Sequence, residues 1–297
     1  MMLVFDIYKY YLMGHVRIFI ELTRLNKPIG IMLLFWPCAW GLAYAYNFNQ
    51  DAYKFVYYLI LFFLGSVLMR SAGCIFNDIV DKDFDKKVER TKTRPITSEK
   101  ISIKQSLFYV GFLCGCAFVV LIQFNKLTII LGLSSMFLAF AYPYMKRITY
   151  WPQLFLGLTF NWGLVMAWTA FNNEITLEII LLYISAIFWT LGYDTIYGAQ
   201  DMSEDEIIGL KSTSIKFKNN INLFVALTYL ITVLILLYLF WGKIEANYFS
   251  SIFLIFFVVT LIYQSINFNK ENPASCLKMF KLNNYSGLLL FLGILVI

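Results

Sequence analysis

Long apolar runs alternate with short polar segments along the whole chain. A membrane-spanning helix needs roughly 20 predominantly apolar residues, and about nine runs qualify, with approximate limits 28–46, 55–76, 105–123, 127–144, 152–171, 178–199, 221–241, 248–267 and 281–297. The runs are continuously apolar rather than alternating, which excludes a membrane β-barrel. Once a barrel is excluded, only α-helices can satisfy the backbone hydrogen bonds of such a chain inside lipid. The pattern therefore predicts an all-α integral membrane protein, with about nine helices in one bundle.

The composition supports an integral membrane protein and argues against a nucleic-acid-binding protein. Hydrophobic residues make up 60% of the chain and charged residues 14%, whereas soluble domains have about 45–50% apolar and about 25% charged residues. The net charge of +6 does not indicate a nucleic-acid partner, because the basic residues alternate with the spans instead of forming one face or tail. We interpret residues 1–297 as a single membrane domain whose environment is the lipid bilayer.

The distribution of Lys and Arg predicts the orientation. Most of them lie in the amino-terminal segment and the even-numbered connections, whereas the odd-numbered connections hold only Lys54, Lys126 and Lys243. Basic residues are enriched in cytoplasmic loops. We therefore expect a multi-pass protein of a bacterial inner membrane, with a cytoplasmic amino terminus.

Two acidic segments end the second and the sixth apolar runs, on the predicted cytoplasmic side. Their matched positions are Asn77, Asp81 and Asp85 and, 120 positions later, Tyr197, Asp201 and Asp205. Residues four apart share a helix face, so each segment forms an acidic stripe if its helix continues past the membrane, and Asp194 extends the second. The repetition indicates pseudo-duplicated halves. Like charges at this spacing repel, and a divalent cation between the stripes would convert that repulsion into binding.

Magnesium is the cation that best fits these side chains, because it prefers oxygen ligands and often binds through one or two carboxylates together with substrate phosphates. The alternative is that the acids are solvated loop charges balanced by Lys82, Lys86 and Lys87. Two matched segments on one side of the membrane favour the metal site. The predicted Mg2+ ligands are Asn77, Asp81, Asp85, Asp201 and Asp205.

Basic residues near the acidic segments are suited to a phosphate group, since Arg makes bidentate contacts and Lys supplies a point charge. Arg70 differs from the others, because it lies inside the second run, where an ionisable residue is costly and usually faces a cavity. The predicted substrate-binding residues are Arg70, Asn77, Arg94, Lys146, Arg147 and Lys211.

These motifs resemble those of the UbiA superfamily of intramembrane prenyltransferases. The first is Asn77-Asp78-x-x-Asp81-x-x-x-Asp85, and the second is Tyr193-Asp194-Thr195-x-Tyr197 followed by Asp201-x-x-x-Asp205 and Gly209-x-Lys211-Ser212. The resemblance narrows to the 4-hydroxybenzoate polyprenyltransferase branch through Arg24-Leu-Asn-Lys27-Pro28-Ile-Gly30, Met69-Arg70-Ser-Ala-Gly73-Cys74, Tyr142-Pro143-Tyr-Met-Lys146-Arg147 and Asn283-Asn-Tyr285.

The resemblance implies a helical bundle around a central cavity, in which both motifs hold magnesium against the diphosphate of a polyprenyl donor. It implies transfer of the polyprenyl group to 4-hydroxybenzoate, ortho to the hydroxyl, in ubiquinone biosynthesis. Arg147, with Arg70 as second choice, is then expected to bind the acceptor carboxylate. The implied catalytic residues are Asp81, Asp85, Asp194, Tyr197, Asp201 and Asp205.

Two positions depart from the branch pattern. Glu204 stands where Asp is usual, and Gly198 stands where Ala is common. Because Asp201 and Asp205 keep their spacing, we expect Glu204 to alter contacts around the metal ligands without abolishing metal binding.

Two other interpretations stay open. Another UbiA-type aromatic or haem prenyltransferase fits the same motifs, since acceptor choice depends on a few pocket residues. A cation transporter is an alternative of a different class, because charged residues and duplicated halves are common there. Transporters usually bind their ions near the bilayer midplane, however, whereas these acids lie at the ends of the runs.

Overall fold

The structure is a computed structural model that describes residues 14–244 and 248–297. Over these ranges the chain is helical without strands, and residues 14–23 precede the long helices. The long helices are α1 (Ile29–Asn49), α2 (Ala52–Val80), α3 (Ile103–Leu121), α4 (Lys126–Ile148), α5 (Pro152–Asn172), α6 (Leu177–Gly198), α7 (Ile221–Ile244), α8 (Tyr248–Asn267) and α9 (Pro273–Leu295). Short helices cover Lys82–Asp85, Met202–Ile207 and Thr213–Lys216.

The predicted membrane bundle is confirmed, and its count of about nine spans is approximate. Eight helices in the described ranges, α1 to α8, are long and apolar enough to cross a membrane. Helix α9 has 23 residues, a sufficient length, but its first half carries Lys278, Lys281 and Asn283. It also starts earlier than the apolar run at 281, because Pro273 occupies its first turn and the Asn272 side chain accepts hydrogen bonds from two backbone N–H groups.

Each acidic segment begins inside a long helix, with Asn77 in α2 and Asp194 in α6, and continues beyond the end of that helix, so the prediction of stripes along continued helices is wrong. Helix α2 ends at Val80, and Asp81, with φ −90° and ψ 2°, separates it from Lys82–Asp85. Helix α6 ends at Gly198, and Asp201 precedes a separate short helix. A continued helix would stack like charges along one face. The bends instead let the carboxylates turn towards cations from other parts of the chain.

Helix α1 is the central element of the bundle. It packs against α2, α5 and α9, while α5, α6, α7, α8 and α9 follow one another around it. Most of the apolar stretch of α1 and of α6 is buried, 72% in each, against 22% for α3 and 17% for α4. Helices α3 and α4 are therefore the most lipid-exposed part of the bundle.

Close approach of small residues holds α1 to its neighbours, as is common in membranes, where burial of apolar surface gives no driving force between helices. A Cβ at Gly41 would lie 2.4 Å from the backbone oxygen of Leu164 in α5. On the other side, the Trp40 indole donates a 2.9 Å hydrogen bond to the Gly287 carbonyl of α9.

A buried polar network joins α9 to α6, α7 and α8. The Trp189 indole donates to Asn283 Oδ1 at 2.9 Å, and the Asn283 amide donates to Gln264 Oε1 at 2.7 Å. The Tyr229 hydroxyl donates to the same Gln264 oxygen at 2.8 Å. Unpaired polar groups are costly inside a membrane, so these bonds fix the register of the four helices.

We expect Gly41→Ala to lower the free energy of unfolding by about 1–3 kcal/mol, because the added methyl group collides with backbone that cannot rotate away. Gly111→Ala in α3 is the matched control, since among the described residues nothing lies within 4 Å of its added Cβ. Denaturation in mixed micelles measures the free energy of unfolding of both variants and of the wild type. Equal stability of the two would contradict the close contact between α1 and α5.

Candidate functional site

A cavity of about 1400 Å³ runs between the helices of the α1–α6 half and the start of α9. Residues 77–94 and 194–211 supply acids and bases at one end, which we call the polar end. Leu121, Phe124, Leu133 and Met166 line the opposite part, which we call the apolar end. The cavity is therefore amphipathic along its length.

The polar end brings together both acidic segments and most of the predicted cations. The predicted residues among its lining are Arg70, Asn77, Asp81, Asp85, Arg94, Lys146, Asp194, Tyr197, Asp201, Asp205 and Lys211. Arg147 is the exception among the predicted residues within the described ranges. Segments 120 positions apart thus meet on one cavity although neither forms a continuous helix.

Asp81 is fully buried and lies between cations of α4. Lys146 Nζ donates to Asp81 Oδ2 at 2.6 Å, and the Asn77 amide donates to the same oxygen at 3.0 Å. Asp81 Oδ1 has no hydrogen-bond partner in the described part of the chain, although Arg147 Nη2 lies 3.5 Å away. One lone-pair site of a buried carboxylate is therefore available for a further ligand.

Asp78 is a second buried carboxylate, and it was absent from the predicted site. Arg24 Nη2 donates to Asp78 Oδ1 at 2.5 Å, and Arg94 Nη1 donates to the same oxygen at 3.0 Å. Arg94 Nη1 also donates to Asp85 Oδ2 at 2.7 Å. Asp78 thus positions the cation that neutralises Asp85. Its place beside Asn77 in the first motif was the signal available in the sequence.

Arg90 joins the two acidic segments. Its guanidinium, which follows the first segment in the chain, makes a bidentate ion pair with Asp201 of the second, including a contact of Nε with Oδ1 at 2.9 Å. Arg90 Nη1 also lies 3.4 Å from the Tyr197 hydroxyl. The spacing of the acids did not indicate this pairing, because it depends on how the loop after Asp85 folds.

The two positions that depart from the branch pattern lie around the acids. Glu204 accepts a 3.2 Å hydrogen bond from the backbone N–H of Glu89, so it contacts the loop after the first segment. A Cβ at Gly198 would lie 2.8 Å from Ser214 Oγ. That hydroxyl donates to the Thr195 carbonyl at 2.8 Å. Gly198 and Ser214 are therefore sterically matched in this chain.

Burial makes these carboxylates costly to ionise. It raises the pKa of Asp81, an effect that Lys146 opposes, and it raises the pKa of Asp85, which Arg94 opposes. Burial, together with the charge of Asp201, raises the pKa of Asp205 to about 6. An added cation would favour the ionised form of all three groups.

The two candidate partners of an acceptor carboxylate lie in different environments. Arg70 lines the cavity, and its guanidinium carbon lies 5.3 Å from the centroid of the Phe160 ring. Its buried Nε has no hydrogen-bond partner among the described residues. A Cβ at Gly30 would lie 2.6 Å from that nitrogen, so the glycine leaves room for the guanidinium. Arg147 instead donates to the Val80 carbonyl at 2.6 Å and stacks over the Phe84 ring.

Residues 34–287 match the model of the UbiA prenyltransferase family. The chain belongs to this family. The resemblance inferred from the motifs is therefore confirmed, and the protein is a multi-pass membrane prenyltransferase.

A "4-hydroxybenzoate polyprenyltransferase, mitochondrial" of Drosophila pseudoobscura pseudoobscura is 40% identical over 284 residues, which cover 93% of this chain and 69% of that protein. A "4-hydroxybenzoate octaprenyltransferase" of Blochmanniella pennsylvanica (strain BPEN) is 39% identical over 276 residues, 92% and 93% of the two chains.

Solved structures support the fold. The apo structure of a UbiA homolog from Aeropyrum pernix K1 superimposes with a TM-score of 0.71 at 22% identity, over 89% of this chain and 97% of that one. A UbiA homolog from Archaeoglobus fulgidus, bound to GPP and Mg2+, gives a TM-score of 0.69 at 16% identity, over 94% and 100% of the two chains. The bundle is therefore a UbiA fold.

We expect Asp78→Asn to lower the free energy of unfolding by about 3 kcal/mol, because it leaves two half-buried guanidinium groups without their shared anion. Asp83→Asn is the matched control, since Asp83 is exposed on the intervening short helix. Thermal unfolding in detergent compares the two. If Asp78→Asn were as stable as the control, Asp78 would not hold Arg24 and Arg94 in place.

Proposed function

We propose that this chain transfers a polyprenyl group from polyprenyl diphosphate to 4-hydroxybenzoate, at the ring carbon ortho to the hydroxyl, in ubiquinone biosynthesis. The cavity carries this proposal, because its polar end suits a diphosphate and its apolar end suits an isoprenoid tail. The names of the relatives support the acceptor. We take residues 1–297 as one catalytic domain.

Magnesium is the proposed cofactor. Among the described residues no three His, Cys, Asp or Glu side chains converge closely enough to hold a metal by themselves, so substrate phosphate and water would have to supply its other ligands. The open position on Asp81 Oδ1 supports this assignment. When bound, the ion would screen the charge of the departing diphosphate. Its proposed ligands are Asn77, Asp81, Asp85, Asp201 and Asp205.

The cations at the polar end would exchange partners when the donor arrives. Lys146, Arg94 and Arg90 now contact carboxylates that the metal would bind. Once these carboxylates ligate magnesium, the same cations are available to the diphosphate oxygens, for which Arg and Lys are suited. Lys211 lines the same end, where its Nζ lies 3.2 Å from the Ile148 carbonyl.

The proposed reaction breaks the allylic carbon–oxygen bond of the donor, and the diphosphate leaves with the bonding electrons. The electron-rich ring of the acceptor then forms the new carbon–carbon bond and loses its proton, which needs no dedicated base because the cationic ring is strongly acidic. Tyr197 and Phe280 line the cavity with their ring centroids 4.4 Å apart. We assign these rings the stabilisation of the allylic cation, from which the bundle would exclude water.

Arg70 is the proposed partner of the acceptor carboxylate, in place of the first choice from the sequence. It lines the cavity near Asp194, whereas Arg147 is not among the lining residues; each of the two has a buried Nε without a hydrogen-bond partner in the described part of the chain. Arg147, by contrast, is already engaged with the Val80 carbonyl and the Phe84 ring. We assign Arg147 a positioning role, because it holds the backbone next to Asp81.

We further propose that the protein lies in a bacterial inner membrane with the acidic segments on the cytoplasmic side; the Lys and Arg distribution supports the choice of side. The predicted cytoplasmic amino terminus itself lies outside the described residues. The cation-transporter alternative has lost its support, because the chain belongs to a prenyltransferase family.

The direct test is an assay of the purified protein with 4-hydroxybenzoate, a polyprenyl diphosphate and Mg2+, with the product identified by mass spectrometry. We expect the prenylated acid, and no product when EDTA replaces Mg2+. Product from a different aromatic acceptor, but none from 4-hydroxybenzoate, would instead support another UbiA-type aromatic prenyltransferase.

Asp81 and Asp201 should act as a unit in one metal–diphosphate site. We expect Asp81→Asn and Asp201→Asn each to nearly abolish turnover in folded protein, and the double variant to cost little more than either alone, because groups that cooperate in one step are non-additive. Asp83→Asn, at an exposed position, should keep most of the activity. A comparable loss of activity in Asp83→Asn would contradict the shared site, and so would full activity of Asp81→Asn or Asp201→Asn at limiting magnesium. Either result would mean that the acids are solvated loop charges.

Arg70→Ala should raise the KM for 4-hydroxybenzoate much more than that for the donor, by a factor corresponding to about 1.5–3 kcal/mol for a hydrogen bond to a charged group. An acceptor that lacks the carboxylate should show no such difference between variant and wild type. Arg147→Ala is the comparison. If it, and not Arg70→Ala, shows this pattern, the carboxylate binds Arg147 as the sequence first suggested.

A further inference from the structure

The side-chain amide of Gln153 is paired on one side and open to the cavity on the other. Gln153 lies in the first turn of α5, is 5% exposed and belongs to the cavity lining. Its Oε1 accepts a 2.9 Å hydrogen bond from the backbone N–H of Thr213, whereas its Nε2 donates none within the described ranges of the chain. Unlike Nε of Arg70, this nitrogen is not fully enclosed by protein atoms. A ligand in the cavity can therefore reach it.

The orientation of the amide follows from its partner. The oxygen and nitrogen of a Gln side chain are alike in shape, and the groups around them decide which way the amide points. A backbone N–H can only donate, so the oxygen of Gln153 must face Thr213. Thr213 is fully buried, and its hydroxyl lies 2.6 Å from that of Thr195. Because Thr213 is held in this way, Nε2 of Gln153 is kept on the cavity side.

Gly198 places this nitrogen at the polar end of the cavity. A Cβ at Gly198 would lie 3.2 Å from Gln153 Nε2. Gly198 also lines the cavity, between Tyr197 and Asp201 of the second acidic segment. Since this chain has Gly where Ala is common in the branch, no side chain covers the amide from there. Gln153 thus presents an unpaired hydrogen-bond donor beside the second acidic segment.

The surroundings of Gln153 suit an anionic ligand. The segment that pairs with Gln153 also crosses the end of α4, where the Lys211 backbone N–H donates to the Lys146 carbonyl at 2.8 Å. Both lysines line the cavity. Arg70, the proposed partner of the acceptor, lies seven residues before Asn77 in α2, about 10 Å deeper along that helix at ~1.5 Å per residue. The position of Gln153 therefore favours a phosphate oxygen over the aromatic acid.

We propose that Gln153 donates a hydrogen bond from Nε2 to a diphosphate oxygen of the prenyl donor. This inference rests on the proposed function, which supplies the diphosphate. The cations at the polar end contact carboxylates and would have to exchange partners first. Gln153 needs no exchange, because its amide is neutral and its nitrogen is unpaired. A donor that is already oriented stabilises the charge that develops on a leaving group without further reorganisation.

The test measures binding of inorganic diphosphate in the presence of Mg2+, by titration calorimetry on the purified protein in detergent, so it needs no turnover. Gln153→Glu replaces the donor group with an oxygen of nearly the same shape, and Gln153→Met removes it without adding charge. We expect the dissociation constant to rise about tenfold or more in both variants, because each loses a hydrogen bond to a charged group.

The two variants separate binding from a purely structural role. Gln153→Glu keeps an oxygen that accepts from the Thr213 N–H, whereas Gln153→Met loses this contact. If Gln153 served only to hold the segment at Thr213, Gln153→Met alone would weaken diphosphate binding. That result would overturn the proposal.

Gln200→Glu is the matched control for the added charge. Gln200 lines the same end of the cavity, but its Nε2 already donates to the Tyr197 carbonyl at 2.9 Å. We expect diphosphate binding in this variant to stay within about threefold of the wild type, since it loses no bond to the ligand. A loss as large as that of Gln153→Glu, together with wild-type binding in Gln153→Met, would attribute the effect to charge and overturn the proposal.

The steady-state kinetics of the same variants test the choice of ligand. Gln153→Met should raise the KM for the prenyl donor and leave the KM for 4-hydroxybenzoate unchanged. A rise confined to 4-hydroxybenzoate, with unchanged diphosphate binding, would assign the amide to the acceptor and overturn the proposal. Failure of the wild type to bind diphosphate with Mg2+ would instead reject the proposed metal–diphosphate site itself, and this inference with it.

Discussion

The polar end of this bundle depends on one constraint: carboxylates removed from water need positive charge beside them. Asp78, Asp81 and Asp85 are all buried, and each has a Lys or Arg within ion-pair distance. A buried anion without such a partner would cost several kcal/mol. The cations come from distant parts of the chain, including Arg24 and Lys146. The ion pairs therefore fix how the loops fold over the end of the helices, and with it the shape of the cavity.

The same pairing prepares the site for chemistry. The raised pKa values of Asp81, Asp85 and Asp205 show that the existing cations do not fully offset burial. A divalent ion would complete the compensation, and the displaced Lys and Arg side chains would then face a dianionic headgroup. Because Arg90 crosses from the loop after the first segment to Asp201, binding at either acidic segment is coupled to the other. The proposed metal–diphosphate ligand would thus contact both halves of the chain.

Much of this architecture could be predicted from the sequence. Continuous apolar runs gave the helices to within a few residues, and the motif spacing indicated two acidic segments on one side. Details that depend on tertiary contacts could not be predicted: the bends at Asp81 and Asp201, the role of Asp78 as anion for two arginines, and the hydrogen bond from Arg147 to the Val80 carbonyl. The early start of α9 was missed because Lys278 and Lys281 lower the hydropathy of a segment that is nevertheless capped as a helix.

The central claim is that two acidic segments form one cation site completed by a diphosphate. Binding of Mn2+, as a substitute for Mg2+ that is visible by electron paramagnetic resonance, tests it without turnover. In the presence of a non-hydrolysable donor analogue, we expect the wild type to bind Mn2+ much more tightly than without it, and we expect both Asp81→Asn and Asp201→Asn to lose that binding. Retention of analogue-dependent Mn2+ binding in either variant would show that the segment it alters is not part of the site, and would contradict the account.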